Sequence, residues 1–247
     1  MVDARVELGE QGWRFWSGLH RVFLRLAGQV PDDWLTHVRS MLAGGDLPQL
    51  PDIVSGSMVE LGVPLAVGEV ALLREIRMAF FDDPDPVGID MIALSEDVPE
   101  TAHRFFPVPG DVLVTDAARI PARLDLTGRP SELLMDLPPG LMHLDDLALR
   151  MTDGLDNLLV PSSDDGDLLS VARAWRFPPG GSPDDGVRVV LAEVAQFTPA
   201  WDVTGKLQRL LGSSGVPDPQ VEVFWTGMDL PPYHRAALDG SALLWRA

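Results

Sequence analysis

The sequence changes its hydrophobic period at a break made of aspartate and proline, Asp82-Asp83-Pro84-Asp85-Pro86. No helix crosses such a stretch, because proline lacks the backbone donor and restricts the residue before it. Apolar residues recur at helical spacing before the break and in alternating or continuous runs after it. We therefore predict an α+β protein with two domains, an N-terminal helical bundle over residues 1–82 and a mixed-sheet α/β domain over residues 83–247.

The first 82 residues carry four amphipathic patterns with recognisable ends. The second pattern is the clearest, since it follows Pro31, keeps Trp34, Leu35 and Val38 on one stripe, and stops at Gly44-Gly45. The four predicted helices begin near residue 12, after Pro31, near Pro48 and at Gly68, and the last two end near Leu61 and Phe80. Four helices of this kind are typical of a small antiparallel bundle.

After the break, the pattern predicts strands separated by short helices. The predicted strands are residues 87–95, 111–116, 168–177, 187–197 and 220–226, with a terminal strand after residue 238. The predicted helices are residues 131–137, 144–151, 201–211 and 233–238. If the strands on either side of helix 201–211 are neighbours, we expect a parallel crossover, although an antiparallel pairing stays open. The polar stretches 162–167 and 178–186 are predicted to be hairpin loops.

Composition narrows the classes to which the chain can belong. With 247 residues, 46% of them apolar, the chain can bury a core of its own. It has no cysteine, which excludes disulfides and thiol chemistry. Near the start, charges and glycines interrupt the apolar stretch that a secretory signal needs, and no segment is long enough to span a membrane. We therefore expect a cytoplasmic protein, and its arginine-rich, lysine-poor usage suggests a high-GC bacterial gene.

The net charge of −18 is concentrated in the middle of the chain. Residues 83–170 hold 18 acids and 5 bases, whereas residues 1–82 hold 11 and 7 and residues 171–247 hold 8 and 7. Such a field repels nucleic acid and anionic membranes and attracts a basic partner protein, although solubility alone also explains it. The predicted binding residues are Asp145, Asp146, Asp153, Asp156, Asp164, Asp165 and Asp167.

Three clusters could carry chemistry, and each has a simpler structural explanation. The SSDDGD stretch lacks the ligand spacing of a calcium-binding loop, and the acids after His143 fit the first turn of a helix. Glu100 with His103, and Tyr233 with His234, could transfer protons but have no visible nucleophile beside them. Nucleotide-binding, hydrolase and zinc motifs are missing. We therefore predict no catalytic residue, no metal and no cofactor.

These observations leave three functional hypotheses. The first is a non-enzymatic binding factor, most specifically an immunity or antitoxin-like protein that neutralises a basic partner. The second is a secretion chaperone or scaffold subunit that binds through apolar faces of the helical half. The third is a hydrolase or transferase, which requires a pocket that holds a histidine within hydrogen-bond reach of a carboxylate.

Overall fold

A computed structural model describes residues 3–127, 136–160 and 168–247 of the chain. Helices lead and a mixed sheet follows, which confirms the predicted α+β class. The helices are α1 (Ala4–Leu26), α2 (Asp32–Gly44), α3 (Leu50–Leu61), α4 (Val67–Phe81), α5 (Gly110–Asp116), α6 (Ala148–Met151), α7 (Gly154–Leu159), α8 (Ala200–Ser213) and α9 (Pro232–Asp239). The strands are β1 (Arg104–Phe106), β2 (Leu124–Asp125), β3 (Leu168–Phe177), β4 (Val187–Val194), β5 (Gln220–Trp225) and β6 (Ser241–Arg246).

The four predicted N-terminal helices are confirmed as α1 to α4. Helix α1 begins at Ala4, before the predicted start near residue 12, because the Asp3 side chain caps it by accepting a hydrogen bond from the amide of Arg5 at 3.0 Å. Gly9, with a positive φ of 68°, interrupts this first part, so the uninterrupted helix starts after Gly9, close to the predicted position. Helices α2 and α3 are each followed by a capping glycine, Gly45 and Gly62, in the left-handed conformation that glycine adopts without strain.

The chain divides into a helical unit and a sheet unit. The helical unit comprises the described residues up to Pro99 together with Pro199–Lys206, and the sheet unit comprises those of Glu100–Thr198 and Leu207–Ala247. The division after Pro99 lies beyond the break at residue 82 where we placed the domain boundary. Trp201 belongs to the helical unit because its ring packs against those of Trp13 and Trp16, with centroids 5.5 Å apart in both pairs.

Within the described residues, the sheet has the strand order β2-β6-β3-β4-β5, and β1 pairs with β3. Strands β3 and β4 form an antiparallel hairpin through residues 178–186, which confirms that predicted loop. Strands β4 and β5 are parallel neighbours joined through α8, as expected for a crossover connection. Helix α9 and strand β6 follow where a helix and a terminal strand were predicted.

Two predicted strands are wrong. Residues 87–95 form a 3₁₀ turn at Ile89–Met91 and an irregular segment, because Gly88 adopts a positive φ of 77° that breaks an extended strand. Residues 111–116 lie in helix α5, which starts directly after Pro109 and buries Val112 while Val114 is exposed. The valines favour a strand, but packing overrides that preference.

The prediction of a helix at residues 144–151 is partly right. This stretch is the end of a 3₁₀ helix, Pro139–Leu147, followed by the single α-turn of α6. The predicted helix at residues 131–137 lies largely outside the described residues, and the predicted loop at residues 162–167 lies wholly outside them.

Candidate functional site

Of the predicted binding residues, Asp145 and Asp146 lie side by side on the surface. Asp146 accepts hydrogen bonds from Arg119 Nη1 and Nη2 at 2.8 and 2.5 Å. These bonds hold the pKa of the Asp146 carboxyl below its ordinary value. Asp145 is exposed and makes no ion pair with any described residue. Only Asp145 of this pair therefore keeps an uncompensated charge.

The same arginine belongs to a wider ion-pair network. Arg119 also contacts Asp116 at 3.1 Å, and Arg150 contacts Asp111 at 3.2 Å and Asp116 at 3.5 Å. The pKa of Asp116 is lowered first by a hydrogen bond from Thr115 and then by the two arginines. Arg119 and Arg150 thus partly neutralise three acids of the sheet unit, Asp111, Asp116 and Asp146.

Asp153 and Asp156 have structural roles. Asp153 caps α7 by accepting hydrogen bonds from the amides of Leu155 and Asp156 at 3.0 and 3.2 Å, and it also pairs with Arg188. The carboxylate of Asp156 is fully buried, 2.7 Å from Arg188 Nη1 and 3.3 Å from Arg173 Nη1. Asp156 is therefore removed from the surface, which corrects its assignment as a binding residue. Asp164, Asp165 and Asp167 lie outside the described residues.

A second acidic surface lies in the helical unit, on residues 82–97, which we name the acidic strap. The strap contains six acids and no base. Ile89 and Ile92 point inward and are buried, whereas Val87, Met91 and Leu94 are 68%, 74% and 59% exposed. Apolar side chains this exposed, grouped within one short segment, are typical of an interaction surface.

The strap is fixed to the helical unit by hydrogen bonds to its backbone. The Val87 amide donates to Asp52 Oδ1 at 3.0 Å, and Ser55 Oγ donates to the Val87 carbonyl at 2.8 Å. Nearer its end, the Leu65 amide donates to the Ala93 carbonyl, and the Ser95 amide donates to the Leu65 carbonyl, both at 3.0 Å. These anchors hold the exposed apolar side chains in a defined arrangement, which lowers the ordering cost of binding.

Arginines of α4 neutralise only part of the strap. Arg74 pairs with Asp85 and Asp90, and Arg77 contacts Asp83 at 3.2 Å. The strap acids that make no ion pair within the described part of the chain are Asp82, Glu96 and Asp97. The exposed apolar side chains are consequently bordered by negative charge.

A shallow apolar groove of about 380 Å³ adjoins the strap at Pro84. It runs between α1 and α4, and its lining residues are Gln11, Phe15, Arg74, Glu75, Met78, Ala79 and Pro84. An ion pair from Arg14 to Glu75, 2.6 Å long, lies at its rim. The groove extends the apolar surface of the helical unit beyond the strap.

The structure pairs His234 with a carboxylate that sequence reasoning missed. His234 Nε2 lies 2.8 Å from Glu222 Oε2, and both side chains are fully buried. The available signal was a single glutamate at an alternating position within the apolar strand VEVFW. Tyr233, its neighbour, accepts a hydrogen bond from Arg176 Nη1 at 3.1 Å. Because both side chains are fully buried, the pair is an internal contact between α9 and β5 that solvent does not reach.

The remaining candidate clusters do not converge. His143 is exposed, and no hydrogen bond joins Glu100 to His103. The described residues contain no group of three or more histidine, aspartate or glutamate side chains arranged to hold a metal ion. In the same part of the chain, no helix has the length and apolar character to cross a membrane.

No protein-family model, curated protein or solved structure matches this chain.

Proposed function

We propose that this protein is a non-enzymatic binding factor that recognises a basic partner protein through the acidic strap of its helical unit. The observation that carries the proposal is that Val87, Met91 and Leu94 point outward on a segment with six acids. Arginines of α4 pair with three of these acids, and Asp82, Glu96 and Asp97 make no ion pair within the described residues. A partner of complementary chemistry presents apolar side chains flanked by lysine or arginine. The more specific form is an immunity or antitoxin-like protein that neutralises a basic toxin inside the cell.

The expected contribution of a strap side chain follows from its exposure. Complete burial of an exposed methionine side chain contributes about 1.5–3 kcal/mol. Met91 is 74% exposed, so its burial by a partner is worth about 1–2 kcal/mol, or roughly tenfold in affinity or somewhat more. The acids contribute mainly to the rate of association and to its salt dependence.

The test is affinity purification from the native host with the full chain as bait. Three baits are compared: the wild type, a variant carrying Val87→Ser and Met91→Ser, and a control carrying Met142→Ser and Leu149→Ser. The control changes two exposed apolar residues of the sheet unit. We expect a protein with a basic surface to be retained by the wild type and the control and lost by the strap variant. Equal retention by all three baits contradicts the proposal.

The groove between α1 and α4 favours a second candidate, a secretion chaperone or scaffold subunit that holds an apolar segment of its client. Ala79→Glu places a charge in the groove, whereas Ala71→Glu places the same charge on α4 outside the groove lining. Loss of the partner with Ala79→Glu alone supports the chaperone or scaffold. Loss with the strap variant alone supports the basic-partner factor.

A further inference from the structure

One face of the sheet unit carries a cleft of about 330 Å³, which we name the sheet cleft. The strand register places Arg246 opposite Ser170, Ser170 opposite Glu193, and Glu193 opposite Phe224. These four residues form one row across β6, β3, β4 and β5, and all four line the cleft. The floor of the cleft therefore presents, in order, the cation of Arg246, the hydroxyl of Ser170, the anion of Glu193 and the ring of Phe224.

An irregularity in β6 brings Arg246 into this row. Ala172 pairs with Leu243 and Ser170 pairs with Arg246, so three steps along β6 match two steps along β3. In a regular strand, residues three apart point to opposite faces. The extra residue acts as a bulge that turns Arg246 to the same face as Leu243, and such bulges occur next to binding sites.

The two arginines of the cleft, Arg246 and Arg123, make no hydrogen bond or ion pair with a described residue. Asp125 of β2 is the nearby carboxylate, and attraction to Arg246 is one of the causes that lower its pKa, after the hydrogen bonds from Thr127. Arg246 therefore keeps its hydrogen-bond donors for a ligand, while Asp125 offsets part of its charge. Elsewhere in the sheet unit, Arg119, Arg150 and Arg188 are all held by carboxylates.

Opposite Arg246, the Glu193 carboxylate accepts a hydrogen bond from Ser170 Oγ at 3.3 Å. Glu193 and Arg246 lie two strands apart, about 10 Å between their backbones, and form no ion pair with each other.

An apolar wall stands on the Glu193 side of this row. It is formed by Phe224 and Trp225 of β5, with Met228 and Leu230 from the loop that leads to α9. A molecule that spans the row therefore meets an anion and aromatic surface at one end and cations at the other. An extended dipeptide spans about 7 Å, and the Glu193 and Arg246 side chains reach inward across the remaining distance.

We propose that the sheet cleft binds a small zwitterion of dipeptide size, whose ammonium group contacts Glu193 and whose carboxylate contacts Arg246 and Arg123. An apolar side chain on the ammonium-bearing residue would pack against Phe224 and Trp225. Arginine favours carboxylate recognition because its planar fork can donate two parallel hydrogen bonds.

Isothermal titration of the full chain with L-phenylalanyl-glycine tests this site. We expect saturable binding in the millimolar range or tighter. Amidation of the peptide carboxylate or acetylation of its amine should each weaken binding by about tenfold or more, because each removes a charge-assisted contact. Absence of saturable binding, or equal binding of the capped peptides, overturns the proposal.

Protein variants locate the binding. Arg246→Gln and Glu193→Gln should each lower the affinity for the dipeptide by about tenfold or more. Arg209→Gln, which changes an exposed arginine of α8 outside the cleft, should leave its affinity unchanged. An equal effect of Arg209→Gln and Arg246→Gln contradicts the assignment. The cleft and the strap involve different residues. Absence of dipeptide binding would therefore not contradict the proposed binding of a basic partner protein by the strap.

Discussion

The buried carboxylate of Asp156 gives the sharpest test of how the sheet unit is stabilised. It lies between Arg173 and Arg188, and Asp156→Asn removes its charge while keeping its shape. Breaking a buried ion pair by removing one partner costs about 3–5 kcal/mol, because the remaining charge stays desolvated. Burial already lowers the pKa of Arg173, which reflects that desolvation.

The other contacts of Arg173 and Arg188 place the expected loss of stability near the lower end of the range of about 3–5 kcal/mol. Arg188 retains its pairing with Asp153, and Arg173 retains hydrogen bonds to the carbonyls of Met151 and Pro107 at 3.0 Å each. We therefore expect Asp156→Asn to destabilise the sheet unit by about 3 kcal/mol. This is a large part of the 5–15 kcal/mol that is typical of a whole domain.

Hydrogen exchange measured by mass spectrometry reports the loss of stability in the sheet unit separately from the rest of the molecule. The slowest amides of β3 and β4 report the opening free energy of the sheet unit. We expect that free energy to fall by about 3 kcal/mol in Asp156→Asn and by less than about 0.5 kcal/mol in the exposed control Asp145→Asn. A fall of less than about 1 kcal/mol in Asp156→Asn refutes the reasoning.

Two further predictions concern a close approach and an ion pair. A Cβ at Gly240 would lie 2.4 Å from the carbonyl oxygen of Phe105, so Gly240→Ala should clearly lower the urea midpoint of unfolding. The control Gly140→Ala adds a Cβ in open space and should leave the midpoint unchanged. Equal midpoints for the two variants contradict the close approach at Gly240. Arg119→Gln should raise the pKa of Asp146 towards its ordinary value of 3.8, as measured by NMR titration. The lowered pKa of Asp146 stabilises the folded state above pH 3.8, and this stabilisation is lost as the pH falls through the folded-state pKa. Arg119→Gln should therefore be less stable than the wild type near neutral pH and equally stable in strong acid. An unchanged pKa of Asp146 refutes the assignment.

The elements that were predicted correctly are those whose local pattern and packing agree. Helix α2 has an apolar stripe between Pro31 and Gly45, and strands β3, β4 and β5 are apolar runs bounded by turn residues. The failures occur where tertiary contacts decide. Residues 111–116 have the composition of a strand, yet α5 places Gly110 so close to the Pro183 carbonyl that a Cβ there would lie 2.0 Å away.

The candidate sites depended on contacts that are distant in sequence. Counting charge by segment pointed to residues 83–170, but it could not show that Arg119, Arg150 and Arg188 neutralise several of those acids. It also could not show which strap side chains point outward, because Ile89 and Met91 look alike in a hydrophobicity pattern. The pairing of His234 with Glu222 joins a helix to a strand and has no local signature.

The dissociation constant of the captured partner, measured at low and at high salt, tests the strap most directly. We expect binding to weaken steeply as salt rises, and Met91→Ser to weaken it by a further factor of about ten at both salt concentrations. Met142→Ser should have no effect. Affinity that ignores ionic strength and is unchanged by Met91→Ser would contradict recognition of a basic partner by the acidic strap.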